Sequence, residues 1–542
     1  MLLNLPPIPD AERTPLVVSL LAIIDTQQQR IQQLEETVQQ LRDEIAVLKG
    51  QKPRPSIAPS RLETPPTRAL GGEAGKRPGS SKRSKNACFL TPIEVYLPVP
   101  DPPPGSVANG YEAYVVQELV MEGRVTRYLR QRVRTVDGRT LLAPLPDTVL
   151  PGSHYGPVLI SYVLYQYHHC HVTQPLLREQ LLELGIDISV GHIDRILTAN
   201  QDGFHQEKAE VLSAGLAVSP YIGVDDTGAR HQGRNGVCTA VGNDWFASFE
   251  STDSKSRLNF LQVLRGPSQG YALNEVAFAY WQRQGLAPEL VERLSAGPRQ
   301  FADAATWQAW LEQVAVTAKR HVLIATEGAL LGQIIAQGVS PDLVILSDGA
   351  APFDLLVHAS CWVHAERPLQ RAVPYNEAHR AALEQLRQQI WELYQDLKAY
   401  RQRPDPGQKP ALQARFEALV GQPTDYPTSI GSVLKEMRDH QVDLLRVLDR
   451  PEVPLHNNGT ESIIRDYVKT RKISGSTRSE TGRRCRDTFA SLKKTCRKLR
   501  VSFWNYLKDR IRGLATIPRL ADLIRQRAAE ARSAVPAAAV SP

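Results

Sequence analysis

Two periods of hydrophobic and polar residues run along this chain, and the point where one gives way to the other marks its parts. Val17, Ile24, Ile31, Val38 and Ile45 recur every seventh residue, and Leu20, Leu34, Leu41 and Leu48 fill the intervening position with Gln27 as its polar member. That 3-4 spacing predicts a coiled coil over 1–50 that joins copies of the chain. The Pro-, Gly-, Ser- and Lys/Arg-rich stretch 51–88 predicts a disordered basic linker. Over 89–150 the period shortens to two, which predicts a small β-rich domain with hairpin turns at Glu122-Gly123 and Asp137-Gly138. Arg130, Arg132 and Arg134 alternate there, so they share one face of a strand and can track a phosphate backbone. The period returns to helical over 151–215. VTQPLLREQLLELGIDISVGHIDRILTAN reads as a helix, a turn at Gly185 and a second helix capped by Ser189, a helix-turn-helix-like DNA-binding region. His168, His169, Cys170 and His171 stand together, but on a helix only His168 and His171 share a face, so no metal site is expected there.

From Tyr221 the pattern is a meander. YIGVDDTGAR predicts a strand, Asn235-Gly236 a hairpin turn, VCTAV a second strand, Asn243-Asp244 another turn and WFASFE a third strand. The helix SRLNFLQVL follows. Later, DLVILSDG is a continuous apolar run of the kind buried on both faces of a sheet. This order predicts a multidomain α+β protein with an RNase H-like core over 216–264, 341–365 and 456–515. Helical insertions are expected at 265–340 and 366–455 and a tail at 516–542. In such a core the first and fourth strands are neighbours, which would bring Asp225 and Asp348 together. Within the second insertion Leu383, Leu386, Ile390, Leu393, Leu397 and Tyr400 predict a helical hairpin.

Composition narrows the class. A chain of 542 residues is too long for one core and implies about three or four domains. Its 65 Lys+Arg against 57 Asp+Glu give a net charge of +8, which favours a polyanionic partner. The longest apolar run, LVVSLLAII, is well short of the roughly 18 residues of a membrane span, and what precedes it is unlike a secretory signal. Six scattered cysteines without a CxxC pair argue against a disulfide framework and for a reducing, cytoplasmic setting.

The candidate chemistry lies in three acids. Asp225 and Asp348 end apolar strands, and Glu461 opens the basic helical stretch HNNGTESIIRDYVKTRK. An ionised carboxylate in an apolar setting is costly unless it is paired or holds a metal. Three of them can hold two divalent cations, Mg²⁺ with Mn²⁺ as a substitute, for cutting and joining phosphodiester bonds. Beyond Glu461, Arg465, Lys469, Arg471, Lys472 and Arg478 begin a run of bases that continues to Arg500 and predicts a groove for DNA phosphates. His364, in Cys361-x-x-His364, is an accessory candidate near the scissile phosphate.

The segments GVDDT, SDGAAPFD, CWVHAERPL and HNNGTESIIRDYVKTRK resemble the Insertion Sequence 66 family of DDE transposases, as does the order of zipper, DNA-binding region, acidic core and basic tail. The resemblance implies that Asp225, first of the Asp225-Asp226-Thr227 triplet, Asp348 and Glu461 are the catalytic and metal-holding residues, with Asn458 of the Asn doublet as an accessory. It implies that water frees the transposon 3′ end, which then attacks target DNA. The partners are then double-stranded DNA at transposon ends and target, a second copy of the chain and helper proteins of the same element, on the bacterial nucleoid. Three features depart from the family pattern: His456 stands where an Asp precedes the Asn doublet, only Cys88 stands where members carry a zinc-binding element, and the segment from about Arg265 to Ser340 is longer than the compact pattern requires. Two other readings fit the same residues, an RNase H-like nuclease without strand transfer and a non-catalytic DNA-binding protein derived from a transposase.

Overall fold

The computed structural model describes residues 91–533 except 92, 108 and 151, and before them only positions 14, 17, 19, 26, 27 and 30. The expected heptad, apart from Val17 and Gln27, lies outside the described residues, as do the linker 51–88 and residues 534–542. The chain divides into two compact units, the smaller formed by the described residues from 91 to Leu145 with Arg178–Ile188, the larger by the described residues before 91, Pro146–Leu177 and the chain from Ser189 onward.

In the smaller unit one hairpin forms, Arg132–Arg134 against Thr140–Leu142. Its turn is at Asp137-Gly138, where Gly138 takes φ +82°. The hairpin expected at Glu122-Gly123 is absent. Gly123 is instead used for close approach, since a Cβ on it would lie 2.3 Å from the Leu184 carbonyl oxygen. The helices Gln174–Glu183 and Val190–Thr198 occur where the pattern placed them, with Gly185 at φ +75° between them and the Ser189 side chain accepting from the His192 N–H at 3.2 Å.

The larger unit is built on a five-stranded sheet, whose strands we number β1 (Tyr221–His231), β2 (Arg234–Gly242), β3 (Ala247–Thr252), β4 (Val344–Ser347) and β5 (Val357–Ser360). Their order is β3-β2-β1-β4-β5, antiparallel among β1, β2 and β3 and parallel among β1, β4 and β5. β4 is buried along its whole length, as its unbroken apolar run requires of a central parallel strand. The first turn differs from expectation. Gln232 and Gly233, at φ +47° and +79°, close the β1–β2 hairpin, and Asn235 and Gly236 pair with Arg230 and Ala229 inside it. Gly236 is needed for space: a Cβ there would lie 2.8 Å from the Thr252 carbonyl and 2.9 Å from that of Ala229.

Three helices lie against this sheet: α1 (Asp202–Val218), α2 (Asn458–Ser474) and α3 (Glu480–Lys498). Ile463, Ile464 and Tyr467 of α2 pack with Cys238, Ala240 and Phe249, and the Phe249 and Tyr467 rings stack at 5.6 Å. α3 meets β3 through polar groups. Asp487, Ser491 and Thr495, each four residues apart, accept the N–H groups of Ser251, Phe249 and Ala247 at 2.8, 2.9 and 3.1 Å. The helical period of one element thus matches the two-residue period of the other, and the free edge of the sheet is closed.

The insertion between β3 and β4 carries the helices Glu275–Arg283, Pro288–Ser295, Ala304–Gln313 and Lys319–Ala336, with a short pairing of Tyr271–Ala272 and Gln300–Phe301. Between β5 and α2 the Leu383, Leu386, Ile390, Leu393, Leu397 and Tyr400 stripe turns inward onto Trp362, Phe416 and Leu444.

Replacing Ser491 with Ala leaves the buried Phe249 N–H without its acceptor. The expected cost is about 1–3 kcal/mol, read as a lower urea midpoint, with no change in the strand content seen by circular dichroism. A midpoint equal to wild type contradicts the edge-closing role.

Candidate functional site

Register brings two of the acids together. β1 and β4 pair in parallel through Tyr221↔Val344 and Gly223↔Leu346. Two residues further along each chain stand Asp225, inside β1 just past the point where it stops pairing with β4, and Asp348, just past the end of β4. Asp348 follows β4 directly, where its Oδ1 accepts the Ala350 N–H at 3.1 Å and Gly349 turns the chain at φ +92°. The third acid, Glu461, lies in the first turn of α2, and what carries it to the other two is Asn457. That residue is 3% exposed; its Nδ2 donates to the Val224 carbonyl at 2.7 Å and its N–H to Cys361 Sγ at 3.3 Å. It therefore ties the start of α2 to β1 one residue before Asp225, and to the residue that follows β5. Gly223 makes the approach possible, since a Cβ there would lie 2.2 Å from Thr460 Oγ1 and 2.5 Å from Asn457 Oδ1. Asp226 faces away, as alternation along a strand requires, and pairs with Lys255 at 2.8 Å.

The gathered charges act on each other. Burial pushes the Asp225 carboxyl up to about 7; the Asp226 N–H opposes this, and the charges of Glu461, Asp348 and Asp226 add to it. Glu461 Oε1 is buried without a hydrogen-bond partner, and so is His364 Nδ1, 3.8 Å away. Arg465 stands 3.4 Å from the other Glu461 oxygen. Burial first, and Arg367 second, hold His364 below its ordinary value. Burial also pushes the Cys361 thiol up to about 11, which makes it a poor nucleophile in the metal-free state. Hard carboxylate oxygens, one of them orphaned and one on a carboxyl that burial and then its acidic neighbours push upward, are a donor set that fits divalent cations of the Mg²⁺ class.

Residues 325–484, which contain Asp348, His364 and Glu461, match the family described as "Transposase IS66 family". Over 304 residues the chain is 40% identical to "Uncharacterized protein y4jO" of Sinorhizobium fredii (strain NBRC 101917 / NGR234), a match covering 56% of this chain and 94% of that protein. The chain belongs to the IS66 transposase family. Membership implies transposase activity in general, with DNA as partner and dependence on divalent metal. No helix among the described residues is long and apolar enough to cross a membrane.

In this IS66-family chain the basic residues fall into two groups. Arg130, Arg132 and Arg134 are exposed in the smaller unit, Arg130 donating to the Ala143 carbonyl at 2.5 Å. Arg465, Lys469, Lys472 and Arg478 are exposed on or just after α2. Arg471 binds the Gly228 carbonyl and lies 3.3 Å from Thr227 Oγ1, so it braces β1. Further on, the expected continuous basic groove is corrected. Lys493 and Lys494 pair with Asp466 at 2.8 and 3.2 Å, Lys498 binds the Asn243 carbonyl, and Arg486 binds the Gly475 carbonyl at 3.0 Å. These bases turn inward because the same helix faces the sheet edge with Asp487, Ser491 and Thr495, a polar stripe visible in the sequence. His168 stacks on Phe489 of α3 at 4.2 Å, and His171 lies 3.6 Å from Asp466 Oδ1 of α2, so each histidine anchors one of these helices. Of the Asn doublet, Asn457 is the buried tie, while Asn458 begins α2 half-buried. Two adjacent asparagines give no sequence signal for choosing between them.

The Asp225 carboxyl titrates near 7 in the folded chain against an ordinary 3.8, so the folded state holds this proton more tightly than the unfolded state. Its stabilising contribution is present below 3.8 and is lost as pH rises to about 7. In metal-free protein above pH 7, Asp225→Asn is expected to be roughly 2 kcal/mol more stable than wild type, and the gap closes at acid pH. Thermal melts in EDTA across pH check this, and parallel curves for the two proteins contradict it.

Proposed function

We propose that this chain binds the terminal inverted repeats of its insertion sequence, cleaves DNA strands there and joins them to target DNA. Asp225, Asp348 and Glu461 hold two divalent cations, Mg²⁺ or in its place Mn²⁺. The observation that carries the reading is the convergence of these acids from β1, β4 and α2, with Asp225 held near neutrality by burial and by the other two. The strand order β3-β2-β1-β4-β5 with antiparallel β2 supports an RNase H-like core.

The chemistry that bound cations supply is activation of the attacking oxygen and neutralisation of charge on the leaving 3′ oxygen. The chain supplies the rest. Asp225, on which the charges of the other two acids act, gives up its proton on loading. Asp348, more exposed, faces the DNA side. Glu461 is aimed by Asn457. His364, beside Glu461 Oε1, positions that carboxylate. Glu461, Arg465, Lys469 and Lys472 follow one another at helical spacing on α2, so a phosphate rail leads away from the acids. Arg471, Arg478 and the Arg130, Arg132 and Arg134 strand are further DNA contacts. The N-terminal heptad pairs two copies so that two element ends are held together, with helper proteins of the element as further partners on the nucleoid.

The test uses labelled DNA carrying the element's ends, with Mg²⁺, and compares wild type with Asp348→Ala. The expected result is nicking and joining by wild type, loss of both in the variant, and end binding by both. Wild type that binds ends without cleaving them, even with the element's other proteins present, contradicts the proposal, as does an Asp348→Ala protein that still cleaves.

A further inference from the structure

Beside the three acids lies a cluster of softer donors. Cys361 immediately precedes the helix Trp362–Arg371, and His364 falls in its first turn. The Cys-x-x-His spacing places thiol and imidazole at the same helix end, and Glu461 arrives from α2. One donor atom each from Cys361, His364 and Glu461 lies within 4.8 Å of the others. His364 Nδ1 and Glu461 Oε1 are both buried without a hydrogen-bond partner, 3.8 Å apart. A ring nitrogen and a carboxylate oxygen left unsatisfied at that distance need a proton or a cation between them. The Cys361 sulfur is 1% exposed in its residue and accepts the Asn457 N–H at 3.3 Å, the kind of contact that orients and stabilises a metal-bound thiolate. A cavity of about 70 Å³ adjoins the cluster, lined by Asp348, Cys361, His364, Glu436 and His440, and has room for a water as fourth ligand.

We infer that Cys361, His364 and Glu461 form a site for a thiophilic divalent cation of the Zn²⁺ class, and that its occupation takes Glu461 away from Asp225 and Asp348. Thiolate, imidazole and one carboxylate oxygen, with water in the fourth position, are the ligand set Zn²⁺ accepts and Mg²⁺ does not. Tetrahedral bonds to these donors set neighbouring ligand atoms roughly 3.5 Å apart, so loading draws in donors that now lie within 4.8 Å of one another. Loading replaces the thiol proton, which is released to solvent. The site itself does not depend on the catalytic reading. Its competition with Mg²⁺-class ions does rest on the proposed role of Glu461.

The experiment titrates the full chain with Co²⁺, whose bond to a thiolate gives a charge-transfer absorption, and then displaces it with Zn²⁺. The expected result is about one equivalent of Co²⁺ with that band, displaced by Zn²⁺ and not by excess Mg²⁺. The band is lost in Cys361→Ser and persists when the exposed Cys170 is replaced in Cys170→Ser. His364→Ala binds at least about tenfold more weakly, and reads the site independently if Cys361→Ser fails to fold. A wild-type chain without the band, or a Cys361→Ser chain that keeps it, overturns the site. In a second arm, Zn²⁺ loading lowers Mn²⁺ affinity at least about tenfold, and unchanged Mn²⁺ binding overturns the competition. Failure of the zinc-free chain to bind Mn²⁺ at all counts against the three-acid metal centre, while the thiolate band still decides the Cys361 site.

Discussion

The site depends on how closely the start of α2 can sit on β1. Asn457 sets that distance with a side-chain bond to the Val224 carbonyl and a backbone bond to Cys361. Gly223 permits it, because any side chain there would meet Thr460 and Asn457. Without this contact Glu461 would be an ordinary acid near a helix N-terminus, and Asp225 and Asp348 a pair on two adjacent strands. With it, three carboxylates from segments far apart in sequence come close enough for the charges of Glu461 and Asp348 to act on Asp225. The rest of the larger unit serves that contact. α3 closes the β3 edge through Asp487, Ser491 and Thr495, and Arg471 braces β1 beyond Thr227.

Gathering like charges in a partly buried site is unfavourable, and the chain shows the strain in its protons. Asp225 answers by holding its proton up to about 7, while Glu461 keeps one oxygen unsatisfied beside an unsatisfied His364 nitrogen. Each of these is relieved by a cation. Asp466 shows the contrasting solution: Lys493, Lys494 and His171 surround it, and their contacts hold its carboxyl well below the usual range. Asp466 is thus satisfied by protein groups, whereas Glu461 is left short of a partner. Only the second arrangement suits a metal-loaded centre on an IS66-family chain.

Much of this was legible in the residue pattern, and the failures have physical causes. Apolar runs ending in Asp225 and Asp348 located the strands, because burial on both faces leaves little other reading of VILS. The hairpin turn was misplaced because Asn235-Gly236 carries the strongest local signal; burial of β2 beside Thr252 and Ala229 uses that glycine for space, and Gln232-Gly233 turns instead. The basic run after Glu461 was read as one groove because charge alone does not tell which side of a helix a lysine leaves. Lys493 and Lys498 point inward, whereas Lys469 and Lys472 do not. The pattern does not separate the structural role of Asn457 from that of Asn458 for a similar reason, since helix phase is fixed only by the packing on β1.

Asp225, Asp348 and Glu461 are proposed to form one divalent-cation centre. Electron paramagnetic resonance of Mn²⁺ titrated into the purified chain measures this without DNA or turnover. About two ions bound by wild type, with occupancy sharply reduced in Asp225→Asn and in Glu461→Gln, is the predicted result. Equal Mn²⁺ binding by wild type and both variants would mean that the three carboxylates do not act as one centre.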